Sequence, residues 1–362
     1  MGSYRLAVMD GDGIGLEVIA SVRTLLRTIN ELEPTIDLTP VDLPIGLAAY
    51  EREGTTLPAS TLAALETCDG WILGPLTTHL YEGAAMPNVS AVLRKRFELF
   101  ANIRPARSFP GIDALYSNVD VVVVRENTEG FYADRNLLHG TGELMPTPDT
   151  VLSVRVVTQR ACERLARAGF ELARRRRGHV TLVHKANVLR LGCGLFLDTC
   201  RDVATDYPDV RVDDFHVDAF AMHLVMRPAD FDVIVTTNLF GDVLSDLSAG
   251  LIGGLGLAPG LNAGHERAMA QAVHGSAPDI AGRGSANPIA SILSLAQLLD
   301  WLGTRHTDMA ATSLGDRLWT AVETVLATGA VKTPDLGGNS TTADMTEAIE
   351  ASLQAIFEHR YS

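Results

Sequence analysis

The chain alternates short apolar runs rich in β-branched residues with stretches of helical period, and this alternation constrains its fold more than any other feature. The runs include "RLAVM" (Arg5 to Met9), "DGWILG" (Asp69 to Gly74), "VDVVVV" (Val119 to Val124), "HVTLVH" (His179 to His184) and "FDVIVTT" (Phe231 to Thr237). Between the first two, Ile14, Val18, Ile19, Val22, Leu25, Leu26 and Ile29 recur at intervals that keep one helical face apolar. Buried strands alternating with amphipathic helices predict an α/β protein with a largely parallel sheet. With 362 residues, 46% of them hydrophobic, the chain can bury a substantial core and is long enough for about two domains.

One segment breaks the pattern. "NLLHGTGELMPTP", Asn136 to Pro148, is turn-rich, and "TVLSVRVVT" after it alternates like a strand. A protruding hairpin or arm near residues 133–157 is expected there, a shape suited to subunit contacts.

Charge and cysteine usage exclude several classes. A net charge of −14 argues against nucleic-acid binding, which relies on neutralising phosphates. The one basic run, "ARRRRG" from Ala173 to Gly178, closes a helical pattern before a glycine and reads as a solvated helix terminus. Cys68, Cys162, Cys193 and Cys200 lack metal-ligand spacing, which predicts reduced thiols in a cytoplasmic protein. No apolar run reaches membrane-spanning length, and strand-like sequence from the outset predicts no targeting signal.

The stretch "LAVMDGDGIGLEV", Leu6 to Val18, joins a strand to a helix through glycines, the arrangement of a phosphate cradle. Its spacing, Gly11-x-Gly13-x-Gly15, is one residue short of the dinucleotide fingerprint. Asp10 and Asp12 also put negative charge where a pyrophosphate would approach. A standard cradle is therefore disfavoured.

Chemistry concentrates in "HVDAFAMHLVMRPADFDVIVTTNLFGDVLSD", His216 to Asp246. Asp242 and Asp246 are four residues apart and share a helical face; Asp218 sits on an earlier helical stretch. Such carboxylates suit a hard divalent cation, although a solvated acidic face has the same spacing. Arg94, Arg104 and Arg125 lie in apolar surroundings. Each alone reads as a structural ion pair; together they suit a polyanionic substrate gripped by guanidinium forks. Lys185 at the carboxyl end of "HVTLVH" and Tyr132 in "RENTEGFYADRN" are positioned to move protons. Local pattern goes no further than a metal-assisted reaction on an acidic metabolite.

In order along the chain, "GDGIG", "FANIRPAR", "RENTEGFY", "HKANVL", "VDAFAMHLV", "NLFGDVLSD", "GGLGLAP", "HGSAPDIAG" and "ANP" resemble the β-decarboxylating dehydrogenases of isocitrate, homoisocitrate, 3-isopropylmalate and tartrate. The resemblance implies two α/β domains with a cleft between them and a non-Rossmann NAD site. Residues 1–99 plus 252–362 would form the cofactor domain, and 100–251 the substrate and dimerisation domain. It also implies that His274 and Asn287 contact adenine, that Gly275, Ser276 and Ala277 approach the phosphates, and that Asp279 receives the ribose hydroxyls. A carboxylate at Asp279 would repel a 2′-phosphate, favouring NAD over NADP. Arg94, Arg104 and Arg125 match substrate-carboxylate arginines, and Asp218, Asp242 and Asp246 match ligands of Mg²⁺ or Mn²⁺. Lys185 and Tyr132 match proton-transfer residues. Asp218 and Lys185 would come from a second subunit, so a homodimer is implied.

Three departures stand out. Leu16 replaces a usual proline, and Gln271 and Ala272 replace a glutamate and a proline of the isopropylmalate enzymes. Asn88 and Ser90 occupy, in swapped order, the offsets before Arg94 at which isocitrate enzymes carry serine and asparagine. These polar groups point to an isocitrate- or homoisocitrate-like substrate, with 3-isopropylmalate and tartrate or D-malate as alternatives. A catalytically silent regulatory subunit is a further alternative, disfavoured because Lys185, Tyr132 and the aspartates are all present. A non-enzymatic anion-binding protein is disfavoured by the intact cofactor loop.

Overall fold

The computed structural model describes residues 2–81, 83, 86–132 and 142–358. Its strands are β1 (Gly2–Met9), β2 (Ile36–Asp42), β3 (Gly70–Leu73), β4 (Ala101–Arg107), β5 (Asp120–Glu126) and β6 (Glu143–Thr147). They continue as β7 (Thr150–Ser153), β8 (His179–His184), β9 (Arg211–His216), β10 (Val233–Thr236), β11 (Leu261–Ala263) and β12 (Ala268–Ala270). The helices are α1 (Gly15–Leu32), α2 (Gly46–Glu53), α3 (Ala59–Leu65), α4 (Val89–Arg96), α5 (Gln159–Arg174) and α6 (Arg190–Ala204). The last five are α7 (Val217–Met226), α8 (Asn238–Leu251), α9 (Ile289–His306), α10 (Met309–Thr328) and α11 (Thr342–Glu358).

Ten strands form one sheet in the order β2-β1-β3-β12-β11-β4-β5-β10-β8-β9. The first four are mutually parallel, and so are the last four. Antiparallel pairs β12–β11, β11–β4 and β4–β5 join the blocks, which therefore run in opposite directions. The expected α/β architecture is present, with a reversal at the centre of the sheet.

Helix α1 shows how the local pattern becomes packing. Val18, Ile19, Val22, Leu25, Leu26 and Ile29 are all buried, as is Ile14 just before it. They join a cluster with Leu6 and Val8 of β1 and Ile349 and Leu353 of α11. Leu16, at the usual proline position, is 65% exposed and leaves the packed face undisturbed. A second cluster packs α5 and α6 against β5, β8 and β10 through Leu165, Phe170, Phe196, Val124 and Val235.

The basic run is only partly the solvated terminus expected. Arg174 ion-pairs with Asp209 at the exposed end of α5. Arg176 instead turns inward and donates from Nε to the buried Asp232 at 2.8 Å and from Nη2 to Asp120 at 2.8 Å. The acid at the foot of β10 needs a paired cation once buried, and this arginine supplies it. Within the expected arm, β6 and β7 form an antiparallel hairpin exposed along its whole length; residues 133–141 of that segment lie outside the described residues. The four cysteines are buried and unpaired with one another. No described helix is long and apolar enough to cross a membrane.

Candidate active site

The glycine-rich turn after β1 is occupied by its own chain. Asp12 N–H donates to the Pro75 carbonyl, Ile14 N–H to Ser276 and Gly15 N–H to Asp12, at 2.7, 2.9 and 2.9 Å. Three of the turn's backbone donors are thus spent within the chain. Asp12 itself is a hub: Oδ1 accepts from Leu47 N–H at 2.7 Å, and Oδ2 from Thr77 N–H at 2.8 Å and Tyr81 Oη at 2.5 Å. Asp10 pairs with Arg23. Gly13 adopts φ of +57°, and a Cβ there would stand 2.1 Å from the Ser276 carbonyl oxygen. The glycine thus permits close approach of the 273–288 loop rather than of a ligand.

The carboxylate–arginine cluster is built by β4, β5 and α8. Alternation along β4 puts Asn102 and Arg104 on one face, and Arg125 lies opposite Asn102 in the neighbouring strand. One turn of α8 separates Asp242 from Asp246. Arg104 donates to Ser245 Oγ at 2.7 Å and to Asp242 at 3.2 Å, with Asp246 at 3.6 Å. Arg125 pairs with Asp242, and Asn238 Oδ1 receives its Nε and Nη2 at 2.9 and 2.7 Å. Tyr132 Oη donates to the other Asp242 oxygen at 3.0 Å, with the Arg125 guanidinium 5.6 Å from its ring centre.

Electrostatics in the cluster follow from burial and charge. Burial and neighbouring Arg125 push Arg104 down to about 10, still fully cationic at neutral pH. Burial alone would raise the Asp242 carboxyl, but Arg125 and Arg104 outweigh it and hold it below the usual range. Asp246 moves the other way: burial raises it, Arg104 offsets this only in part, and like-charged Asp242 adds to the rise. Two carboxylates thus crowd on one helix face, one of them at a disfavoured charge. A divalent cation between them would relieve that crowding, so the donor set fits one.

Lys185, just past β8, and Asp218, in the first turn of α7, form a separate pair at 2.6 Å. Their contact holds the exposed Asp218 carboxyl below its ordinary range. Among the described residues, no three of His, Cys, Asp and Glu come together in one chain to hold a metal. The expected ligand set is therefore divided: Asp242 and Asp246 together, Asp218 with Lys185 elsewhere. The same two helices carry exposed apolar residues, Met222, Val225 and Met226 on α7 and Leu239 and Val243 on α8.

The 273–288 loop is tied down at several points. Ser276 is buried and accepts a hydrogen bond from Thr77 Oγ1 at 2.8 Å. Glu17 of α1 accepts from Gly282 N–H at 2.7 Å. Asn287 donates to Asp335 at 3.0 Å and accepts from Ile289 N–H. Ala277 holds a left-handed φ of +38°, a strained state for a residue with a side chain. Three features remain open to a ligand. Gly275 has open space where a Cβ would sit, Asp279 is exposed, and the buried His274 Nε2 has no partner. Burial lowers the His274 pKa, which favours the neutral ring. These groups fit a dinucleotide that brings a hydrogen-bonding ring and a diol.

At the amino end of α4, the helix preceding β4, Asn88 caps the first turn by accepting from Ala91 N–H at 3.1 Å. Arg94 donates to Gln271 Oε1 at 3.2 Å, and Gln271 Nε2 donates to Ser90 Oγ at 3.2 Å. Gln271 therefore belongs with the candidate substrate residues, not only with the cofactor loop. Asn238, Ser245 and Asn102 also escaped the sequence reading, although each lies inside or beside a quoted motif. What marks Asn102 is its place two residues before Arg104 on a strand; nothing local marks the others.

Comparison with known proteins identifies the chain's relatives. A match to the family described as isocitrate/isopropylmalate dehydrogenase spans residues 5–349. The chain is 43% identical over 355 residues to the isocitrate/homoisocitrate dehydrogenase of Thermus thermophilus, covering 98% of this chain and 100% of that one. It is 42% identical over 350 residues to the 3-isopropylmalate dehydrogenase of Archaeoglobus fulgidus, covering 96% and 99%. The crystal structure of isocitrate dehydrogenase from Methylococcus capsulatus superposes with a TM-score of 0.85 at 43% identity, covering 97% of this chain and 99% of that one.

Proposed function

The chain belongs to the isocitrate/isopropylmalate dehydrogenase family, and from that premise we propose that it acts on isocitrate, homoisocitrate or a close analogue, using NAD and Mg²⁺ or Mn²⁺. Membership makes it a dehydrogenase that oxidises a hydroxyl group and decarboxylates. The observation that carries the finer reading is the convergence of Arg104, Arg125 and Tyr132 on Asp242, with Arg94 close enough to help depress that carboxyl.

Two residues from one chain and one from another would complete the metal site: Asp242 and Asp246, with Asp218 of the partner subunit. Support for a homodimer comes from the separation of the two groups within one chain and from the exposed apolar residues of α7 and α8, the helices that carry them. We place the cleft where residues 1–99 plus 252–362 meet residues 100–251, a division that crosses the sheet at the antiparallel β11–β4 pair.

When bound, the cation would supply Lewis-acid stabilisation of negative charge on substrate oxygen and NAD would supply a hydride acceptor. The chain's own residues do the rest. Arg94, Arg104 and Arg125 grip the carboxylates of the substrate, with Asp242 the counter-ion of the last two. Its low pKa keeps Asp242 anionic throughout. Lys185, oriented by Asp218, takes the hydroxyl proton when in its neutral amine form. Tyr132 returns a proton to the carbon that has lost its carboxylate. His274, Asp279 and Asn287 hold the adenosine end of NAD.

A panel of isocitrate, homoisocitrate, 3-isopropylmalate, D-malate and tartrate, with NAD⁺ and Mn²⁺, tests the proposal. NADH formation that requires the metal is expected, greatest with the first two acids. A folded protein inert on the whole panel would refute the reading, and a preference for 3-isopropylmalate would refute its substrate assignment. Asp279→Lys removes the group proposed to meet the ribose hydroxyls and supplies a cation for a 2′-phosphate. Its ratio of kcat/KM for NADP to that for NAD is expected to rise by about tenfold or more; an unchanged ratio would show that Asp279 does not face the ribose.

A further inference from the structure

We propose that the cavity on the face of the sheet away from the Asp242 cluster is a second ligand site, which takes a small organic ammonium ion with an apolar body and sets its charge on Asp316.

Strand alternation separates the two sites. Asn102 and Arg104 of β4 share the face that meets α8, where Arg104 reaches Ser245. Ile103, Pro105 and Arg107 take the other face, with Val122 and Asp120 of β5 opposite the last two. Over that other face lies a cavity of about 420 Å³, walled by the end of α5 on one side and by α9 and α10 on the other. Its size falls in the range that small-molecule sites occupy. Ile103, Val122, Leu172 and Leu261 give it an apolar lining, and the half-buried Trp301 and Trp319 add two indole rings.

A tally of charge selects the ligand. The lining holds three arginines and four acids. Arg107 pairs with Glu323 at 2.8 Å and Arg175 with Asp300 at 3.2 Å, and both pairs cross from one wall to the other. Arg176 is taken by Asp120 and the buried Asp232, each at 2.8 Å. Asp316 is the acid left over; among the described residues no partner reaches its carboxylate. Burial and the like charge of Asp300 hold that carboxyl above its ordinary range, as expected of an anion short of a cation. An ammonium ion would relieve it. An anionic ligand would meet the same carboxylate with every guanidinium of the lining already paired.

The indoles complete the preference. Arg305 and Arg107 already stand 5.6 and 5.8 Å from the ring centres of Trp301 and Trp319. The rings therefore offer the ligand apolar contact, and its charge goes to the carboxylate.

Three probes that share one apolar body and differ in charge test the site: 2-phenylethylamine, 2-phenylethanol and 3-phenylpropionate, each titrated into the whole protein. Two of the three tryptophans line the cavity, and the third, Trp71, is fully buried in another cluster, so indole fluorescence reports on this space. A saturable change with the amine is expected in the millimolar range, with the alcohol and the carboxylate weaker by about fivefold or more. Asp316→Asn, which breaks no ion pair, should weaken the amine to about the level of the alcohol. Gln297→Phe fills the cavity, and because the buried amide nitrogen of Gln297 has no hydrogen-bond partner, the substitution forfeits none there; it should weaken all three probes. An amine that gives no saturable change, or that binds no better than the alcohol or the carboxylate, would overturn the proposal. So would an amine bound by Asp316→Asn as tightly as by the wild type, or by Gln297→Phe undiminished. Should Gln297→Phe fail to fold, the probe series and Asp316→Asn still decide the matter. None of these readouts depends on turnover, so the activity reading stands or falls separately.

Discussion

Asp242→Asn should lower kcat/KM by about a thousandfold or more and abolish any rise in melting temperature on adding Mn²⁺. Two separate roles meet at this carboxylate. It is one of two proposed metal ligands on α8, and it is the counter-ion of Arg125 and Arg104. Arg125 is 2% exposed and keeps its charge whatever its surroundings, so an amide in place of Asp242 leaves a buried cation short of its partner. The variant should therefore also lose on the order of 2 kcal/mol of stability without metal, less than for a fully buried pair because Asp242 is 36% exposed. Asp246→Asn provides the contrast. Asp246 has a raised carboxyl and only a 3.6 Å approach to Arg104.

The signs of these shifts separate the two acids by pH. Asp242, depressed in the folded chain, adds stability that is present above the unfolded carboxylate range and disappears as pH falls through its lower folded value. Asp246, raised, does the opposite, its ionisation opposing the fold as pH climbs through its folded value. Asp246→Asn should thus lose the Mn²⁺ response with no fall in metal-free melting temperature at neutral pH. Full activity and a retained Mn²⁺ response in Asp242→Asn would remove α8 from the metal site.

What the sequence makes legible here is what short-range periodicity records. Ile14 and the six apolar positions that follow it in α1, like the strands at residues 5–9, 119–124 and 179–184, are set by alternation of a few residues, and the chain folds there as its pattern predicts. The i, i+4 spacing of Asp242 and Asp246 likewise survives as one helix face. The reversal of the sheet at its centre is not legible, because β11 and β12 are three residues long and too short to show a period. Nor is the inward turn of Arg176, whose partner Asp232 lies 56 residues away and looks from its neighbours like an ordinary strand start. The two acids of "RENTEG" illustrate the same limit. Glu126 caps the turn after β5 by accepting from Thr128 and Glu129 N–H, and Glu129 accepts from Thr158 at the start of α5. Burial pushes Glu129 up to about 7 despite the Thr158 hydrogen bonds, with Glu126 adding to the rise. Only the folded contacts distinguish these structural acids from catalytic ones.

Mixing two inactive variants should restore activity, and this is the sharpest consequence of a site divided between chains. Lys185→Met removes the proposed base contributed by one subunit; Asp242→Asn removes the metal ligand contributed by the other. If a site is assembled from both, a dimer holding one copy of each variant has one site with both defects and one with neither. After random exchange in equal amounts, half the dimers are mixed and half the sites in each are intact, so about a quarter of wild-type activity should appear. Each variant alone stays inactive. If instead Lys185 and Asp242 served the same site from one chain, every site in every dimer would carry a defect and mixing would recover nothing. Exchange can be followed independently by giving the variants different affinity tags, so an absence of recovery in demonstrated mixed dimers would count against the shared site itself. The apolar faces of α7 and α8 supply the physical reason to expect exchange to produce dimers: Met226 and Val243 are 66% and 61% exposed in the single chain, and burying such residues against a second copy is the readiest way to remove them from water.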